Sequence, residues 1–128
     1  MKLKRILVVD DDADDQQFFR EGMDMLAEKL YCERAHSGTE ALDILDKLPP
    51  FDLIFLDLNM PLMNGFDLLI ILKTDTKYKA IPVVIMSTSD SHADIQKCMQ
   101  LGAEKYLVKP CELEEMVSNL TEVLTILD

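Results

Sequence analysis

Ile6-Leu7-Val8-Val9-Asp10-Asp11-Asp12 is the stretch that decides the fold of this 128-residue chain. Four apolar residues in succession, ended by a run of acids, are typical of a strand that is buried on both faces. Such strands occur in parallel sheets whose two faces are covered by helices. The stretch therefore predicts an α/β domain, with the acids at the carboxyl end of its first strand.

Further strands are predicted where apolar runs of the same kind recur. These runs are 53–56, 83–86 and 106–108. A fifth candidate at 31–35 carries charged residues in its middle, and we predict that it lies at an edge of the sheet. The chain is thus expected to contribute five strands.

Helices are predicted in the intervals, where apolar residues recur at helical spacing. The first helix is predicted on Phe19, Met23, Leu26 and Leu30. Five alternations of strand and helix predict a doubly wound, flavodoxin-like (βα)5 domain with a parallel sheet in the order 2-1-3-4-5. Ligands bind such sheets at the carboxyl ends of the strands, here at the switch point between the first and third strands.

Three carboxylates are predicted to meet at that switch point. Asp10 and Asp11 follow the first apolar run, and Asp57 follows the second of the four, which forms the third strand. Neighbouring carboxylates that are partly removed from water raise each other's pKa and cost stability. A bound hard cation would remove this cost. Oxygen ligands without a nearby histidine or cysteine favour Mg²⁺. Lys109 and Ser87 end two other runs and would add an ammonium and a hydroxyl at the same edge.

Three more aspartates lie just after the first strand. Asp14 and Asp15 are interpreted as acids in the first turn of a helix, where they interact favourably with the helix dipole. Asp12 suits either a turn or a helix cap.

The chain resembles the receiver domain of bacterial two-component response regulators, including the single-domain chemotaxis regulators, over essentially its whole length. The motifs that carry the resemblance lie at 6–12, 37–42, 57–65, 82–87 and 102–110. Together they are highly specific, since they include each of the predicted strand-end residues.

The resemblance implies that Asp57 accepts a phosphoryl group from a phosphohistidine on a sensor histidine kinase or a histidine phosphotransfer protein. It also implies a Mg²⁺ site in which Asp11, Asp57 and the main-chain carbonyl of Asn59 are ligands, while Asp10 acts through water. Lys109 would pair with the phosphoryl oxygens.

A conformational switch is also implied by the resemblance. Ser87 occupies the hydroxyl position that moves toward the phosphoryl group, and Tyr106 occupies the aromatic position that follows it inward. The signal would leave through the surface of the fourth helix, fifth strand and fifth helix, to an unknown downstream protein. The peptide bond between Lys109 and Pro110 is expected to be cis.

Composition excludes several classes of function. A net charge of −11 argues against nucleic-acid binding and against attachment to anionic membranes. No apolar stretch approaches transmembrane length, and the first run is too short for a signal peptide, so a cytoplasmic protein is expected. Cys32, Cys98 and Cys111 include no Cys-x-x-Cys pair and are predicted to be reduced core thiols.

One receiver domain, 1–128, is expected, without an output domain. Four alternatives to an output regulator remain open. The chain could be a phosphorelay intermediate, which passes its phosphoryl group onward. A phosphohydrolase with an aspartyl nucleophile would need a second acid where Asn59 stands. A phosphorylation-independent binding domain is disfavoured by the acid trio, and an FMN carrier by the lack of a Ser/Thr/Gly-rich loop after the first strand.

Overall fold

The computed structural model describes residues 3–128, which form five strands and five α-helices in alternation. The strands are β1 (Lys4–Val9), β2 (Leu30–Ala35), β3 (Leu53–Leu56), β4 (Val83–Ser87) and β5 (Lys105–Val108). The helices are α1 (Ala13–Asp24), α2 (Gly38–Lys47), α3 (Gly65–Thr74), α4 (His92–Gln100) and α5 (Leu113–Leu124), with a 3₁₀ turn at Thr125–Leu127.

The five strands form one parallel sheet in the order β2-β1-β3-β4-β5. The predicted fold class and strand order are confirmed. β2 lies at the edge, as its charged middle predicted, and it begins one residue earlier than expected. β1 and β3 are neighbours, so their carboxyl ends lie side by side at the switch point.

Two hydrophobic cores explain why the strands read as continuous apolar runs. Alternate residues of a strand point to opposite faces. Ile6 and Val8 pack with residues of α1 and α5, whereas Leu7 and Val9 pack with residues of α2, α3 and α4. Each fully buried aliphatic side chain stabilises the fold by roughly 1.5–3 kcal/mol. Both faces of β1 are therefore fixed, and so is the position of the acids that follow it.

The first helix is shorter than its apolar spacing predicted. α1 ends at Asp24, where the N–H of Met25 bonds to the carbonyl of Gly22. Leu26 and Leu30 still pack against the core of α1 and α5, but from a loop and from β2. The helical prediction for these two leucines is wrong. Leu30 pairs with β1 instead, and Leu26 lies in the turn after α1, where its N–H donates to the carbonyl of Met23.

The cysteine prediction is only partly right. Cys98 is fully buried in α4, but Cys32 and Cys111 are exposed. Cys32 lies on the edge strand, and Cys111 lies in the loop before α5. Both are exposed because edge strands and loops leave part of their side chains uncovered.

The helices are short for membrane spans. α1 and α5 have 12 residues each, whereas a helix needs about 20 apolar residues to cross a bilayer. Within residues 3–128, no helix combines the length and the apolar character that a membrane crossing requires.

Candidate functional site

Three aspartates meet at the carboxyl ends of β1 and β3. The N–H of Asp57 donates to the carbonyl of Val9 at 2.9 Å, and the N–H of Asp10 donates to that of Ala35 at 3.0 Å. These bonds extend the sheet by one residue, so both aspartates are held by the backbone. Asp10, Asp57 and the exposed Asp11 each offer a carboxylate oxygen, and these oxygens lie within 4.8 Å of one another.

Burial makes this cluster electrostatically costly. Asp10 is 7% exposed and Asp57 is 5% exposed. Burial, followed by repulsion from Asp10, raises the pKa of Asp57 to about 6, although Lys109 and the N–H of Asn59 oppose the shift. Burial also raises the pKa of Asp10. The positive charge of Lys109 is therefore too small to offset the burial and mutual repulsion of the ionised carboxylates.

Lys109 supplies the ammonium that faces this cluster. Its Nζ donates to Asp15 Oδ2 at 2.7 Å and to Asp10 Oδ2 at 2.9 Å, and it lies 3.5 Å from Asp57 Oδ1. Burial alone would lower the pKa of Lys109, but the hydrogen bonds to Asp15 and Asp10 outweigh burial and raise it. Lys109 therefore stays charged.

The donor set of the site fits a hard divalent cation. The carboxylates of Asp10, Asp15 and Asp57 lie within 3.5 Å of the Lys109 ammonium, and that of Asp11 clusters with Asp10 and Asp57, so negative charge is in excess. Carboxylate oxygens are the ligands that hard cations prefer. The structure thus brings together Asp10, Asp11 and Asp57 of the predicted metal site. Asn59, whose main-chain carbonyl was the remaining predicted ligand, lies exposed two residues after Asp57.

The two residues predicted to form a switch lie on neighbouring strands and are linked through one serine. Ser87 is fully buried at the end of β4, and its Oγ accepts from the N–H of Ser89 at 3.2 Å. Tyr106 is half-buried, and its hydroxyl donates to the carbonyl of Ser89 at 2.8 Å. Ser89 Oγ in turn donates to Asp94 Oδ2 in α4 at 2.7 Å. One loop residue therefore contacts both switch residues and the fourth helix.

Sequence reasoning missed three residues around the site. The sequence predicts Asp15 only as a helix-terminus acid, and it predicts no role for Ser89 or Gln16. Gln16 is buried, and its Nε2 donates to the carbonyls of Asp10 and Ala35 at 3.0 and 3.1 Å, which fixes two strand ends. Their position in the sequence could have identified two of them, because Asp15 and Gln16 lie in the first turn of the helix that follows Asp10 and therefore start close to the site.

The predicted cis peptide at Lys109–Pro110 is wrong. Across residues 3–128 the structure contains no cis peptide bond, so this bond is trans. Trans is the more populated state of most bonds that precede proline. The backbone N–H of Lys109 is nevertheless fixed, because it donates to the carbonyl of Ser87 at 2.7 Å.

Gly65 allows the backbone around Asp57 to close. It is the first residue of α3, after the N-cap Asn64, and its N–H donates to the carbonyl of Leu58 at 2.9 Å. A Cβ at Gly65 would overlap the backbone oxygen of Asp57 and would lie 2.5 Å from Leu58 Cα. Only glycine fits this close approach between two backbones.

We expect Gly65→Ala to lower the free energy of unfolding by roughly 2 kcal/mol or more, since backbone must move to admit the methyl group. The matched control is Gly38→Ala, because Gly38 is also the first residue of a helix after its N-cap. A Cβ there meets the flexible side chain of Met63, and we expect a loss below about 1 kcal/mol. Urea unfolding measures both, and equal losses would contradict the close-approach argument.

Comparison with protein families places this arrangement among known domains. The family model of the response regulator receiver domain matches residues 6–121 of this chain. The chain is 30% identical over 120 residues to the chemotaxis protein CheY1 of Helicobacter pylori, covering 94% of this chain and 96% of that protein. It is 34% identical over 119 residues to the two-component response regulator ORR11 of Oryza sativa, covering 93% and 80%.

The solved structures that resemble this chain are also response regulators. The phosphorylated cyanobacterial phytochrome response regulator RcpA superposes with a TM-score of 0.87 at 28% identity, covering 95% of this chain and 91% of that one. The Mn²⁺-bound form of the response regulator Rcp1 gives 0.83 at 27% identity, covering 94% and 91%. Chemotaxis protein CheY4 of Vibrio cholerae gives 0.81 at 30% identity, covering 95% and 99%.

Proposed function

The chain belongs to the response regulator receiver family, and from that premise we propose that it is a phosphorylation-dependent switch whose acceptor is Asp57. Receiver domains are signalling domains of two-component systems, so the coarse function follows from the family. The acceptor, the metal, the partners and the output surface are our proposals for this chain.

One observation carries the choice of acceptor. Asp57 is buried at the end of the central strand β3, beside two other carboxylates and 3.5 Å from the ammonium of Lys109. A carboxylate in this position costs stability in the resting protein, which a purely structural role does not explain. A chemical role at the switch point of the sheet explains both its burial and its neighbours.

In the proposed reaction, a carboxylate oxygen of Asp57 attacks the phosphorus of a phosphohistidine. An O–P bond forms, the P–N bond of the donor breaks, and the released imidazole takes up a proton. The domain contributes its nucleophile and the positioning of charge, as is usual in phosphoryl transfer. Lys109 is near enough to neutralise charge on the transferred group. We propose one phosphoryl group per chain and no turnover of other substrates.

We propose Mg²⁺ as the resident cation, with Asp11, Asp57 and the Asn59 carbonyl as ligands and Asp10 acting through water. When bound, Mg²⁺ would neutralise charge on the acceptor and on the phosphoryl oxygens. Its support is the surplus of carboxylates, together with the similarity to the response regulator Rcp1, which has been solved in a Mn²⁺-bound form. Asp10 has a second task in this chain, because its Oδ1 accepts from the N–H of Asp12 at 3.0 Å.

The proposed donor is a sensor histidine kinase or a histidine phosphotransfer protein, and the downstream partner is another protein. The match covers 96% of CheY1 from Helicobacter pylori, so that relative consists of little more than the domain that matches this chain. A cytoplasmic location stays a prediction. The chain is proposed to be an output regulator, with a phosphorelay intermediate as the alternative.

We propose that the signal leaves through α4, β5 and α5. A phosphoryl group on Asp57 adds charge and acceptor oxygens to which the Ser87 hydroxyl can donate. Movement of Ser87 Oγ toward those oxygens would take it away from the N–H of Ser89, from which it accepts in the resting protein. Ser89 also holds Tyr106 and Asp94. Movement of Ser87 would therefore release or shift the start of α4 and the ring of Tyr106 together. Phosphorylation can change the populations only through such differential contacts.

We expect acetyl phosphate to add one phosphoryl group per chain, measured by mass spectrometry, and a beryllofluoride mimic to shift amide resonances at residues 87–116. Residues of α2 should shift little. Ser87→Ala should still be phosphorylated but should lose most of the shifts in α4, because the hydroxyl that couples the site to Ser89 is gone.

Thr88→Ala is the matched control, since Thr88 is the exposed neighbour of Ser87 and should leave the response intact. Resonance shifts confined to the acid cluster in the wild-type protein, with Tyr106 unmoved, would refute the proposed output route.

A further inference from the structure

Lys109 faces three carboxylates, and the nearest of them is not the proposed acceptor. Its Nζ lies 2.7 Å from Asp15, 2.9 Å from Asp10 and 3.5 Å from Asp57. An ammonium has three hydrogens to donate. Two of them are committed to Asp15 and Asp10, so the ammonium is drawn toward α1 and away from the acceptor.

Helix capping does not explain why Asp15 reaches Lys109. The N-cap of α1 is Asp12, whose carboxylate accepts from the N–H groups of Asp14 and Asp15 at 2.8 and 3.1 Å. Both following acids interact with the helix dipole in the same way. Asp14 is exposed and, within residues 3–128, has no ion pair, whereas the side chain of Asp15 is 40% exposed and pairs with a lysine that is 13% exposed.

The surroundings strengthen this contact. Asp15 and Lys109 line one pocket with the apolar side chains of Phe18, Met86 and Met116. Charge-assisted hydrogen bonds beside apolar walls are stronger than those in water. The contact between Asp15 and Lys109 therefore competes with any anion that arrives at Asp57.

We propose that Asp15 is a positioning residue that holds the ammonium of Lys109 away from Asp57 in the unphosphorylated protein. A phosphoryl group on Asp57 must then draw Lys109 from Asp15, so Asp15 sets how readily the site accepts the group. The inference rests on the proposed role of Asp57 as acceptor. It assigns a role to a residue that the sequence analysis interpreted only as an acid in the first turn of a helix.

The first test uses the resting protein without metal or phosphate. In Asp15→Asn, the ammonium should move toward Asp57, so NMR should show changed signals for the Lys109 ammonium and the Asp57 carboxyl carbon. Asp14→Asn removes the same charge one residue earlier and should leave both signals unchanged. Asp15→Glu keeps the carboxylate and should resemble the wild-type protein.

The second test titrates the same variants with beryllofluoride in the presence of Mg²⁺. Asp15→Asn should lower the half-saturating concentration about threefold to tenfold, because one competing charged hydrogen bond is lost. Asp14→Asn should stay within about twofold of the wild type because it removes an exposed charge, and Asp15→Glu should do so because it keeps the carboxylate. Should Asp15→Asn fold poorly, Asp15→Ser is measured in its place.

Unchanged Lys109 and Asp57 signals in Asp15→Asn would overturn the proposal, as would a half-saturating concentration that is equal to or higher than that of Asp14→Asn. If no variant, including the wild type, binds beryllofluoride, the proposed phosphorylation of Asp57 fails instead. The resting-state NMR signals would then still decide whether Asp15 positions Lys109.

Discussion

Asp57→Asn protein incubated with acetyl phosphate and Mg²⁺ should show no phosphorylated species, a loss of about a hundredfold or more in rate relative to the wild type. The amide has no carboxylate oxygen with which to form an acyl phosphate. Because Asp57 is buried against carboxylates, its neutral replacement should not lower stability, and the free energy of unfolding should stay the same or rise. Mass spectrometry and urea unfolding measure the two quantities.

Asp52→Asn is the matched control for this experiment. Asp52 lies just before β3, at the opposite end of the strand from Asp57, and its carboxylate accepts from the N–H of Arg5 at 2.8 Å. This variant should be phosphorylated at the wild-type rate. A single phosphoryl group on the Asp57→Asn protein, acquired at the wild-type rate, would refute the acceptor. Steady turnover of small phosphate esters by the wild type would favour the phosphohydrolase alternative.

Removal of divalent cations should have the second largest effect. In excess EDTA, phosphorylation of the wild-type protein should fall about tenfold to a hundredfold or more, because the clustered carboxylates would then repel an incoming phosphate. Asp11→Ala should show the same loss with Mg²⁺ present. Mg²⁺ should also raise the unfolding temperature of the wild type by about 3 °C or more when it is well above its dissociation constant.

The thermal measurement separates metal binding from simple charge removal. Asp11→Ala relieves repulsion in the metal-free protein, so its unfolding temperature should equal or exceed that of the wild type, but it should no longer respond to Mg²⁺. Asp14→Asn removes one charge from the same stretch and should keep the response. Undiminished phosphorylation in EDTA, or a full response to Mg²⁺ in the Asp11→Ala protein, would rule out the metal site.

The sequence predicted the sheet better than the helix ends. Three of the four continuous apolar runs identified buried strands, because a strand that is covered on both faces cannot place a charge on either. The fourth run forms β5, an edge strand whose residues are half-buried or exposed, so the expectation of burial on both faces was wrong there. The end of α1 was mispredicted because Leu26 and Leu30 keep a helical spacing while they pack from other structures. Periodicity reports which residues are buried, and it does not report which backbone hydrogen bonds they make.

The sequence by itself determined the fold class and which residues lie at the strand ends, because these depend on patterns of burial along the chain. The strand order followed from the arrangement that doubly wound sheets of this kind adopt. Only the tertiary structure decided which of those groups touch. Lys109 pairs with Asp15 and Asp10 across 94 and 99 positions of sequence, and Ser89 joins Ser87 to Tyr106. Hydrogen bonds act over about 3 Å, and no local pattern of residues specifies which distant side chains will approach to that distance.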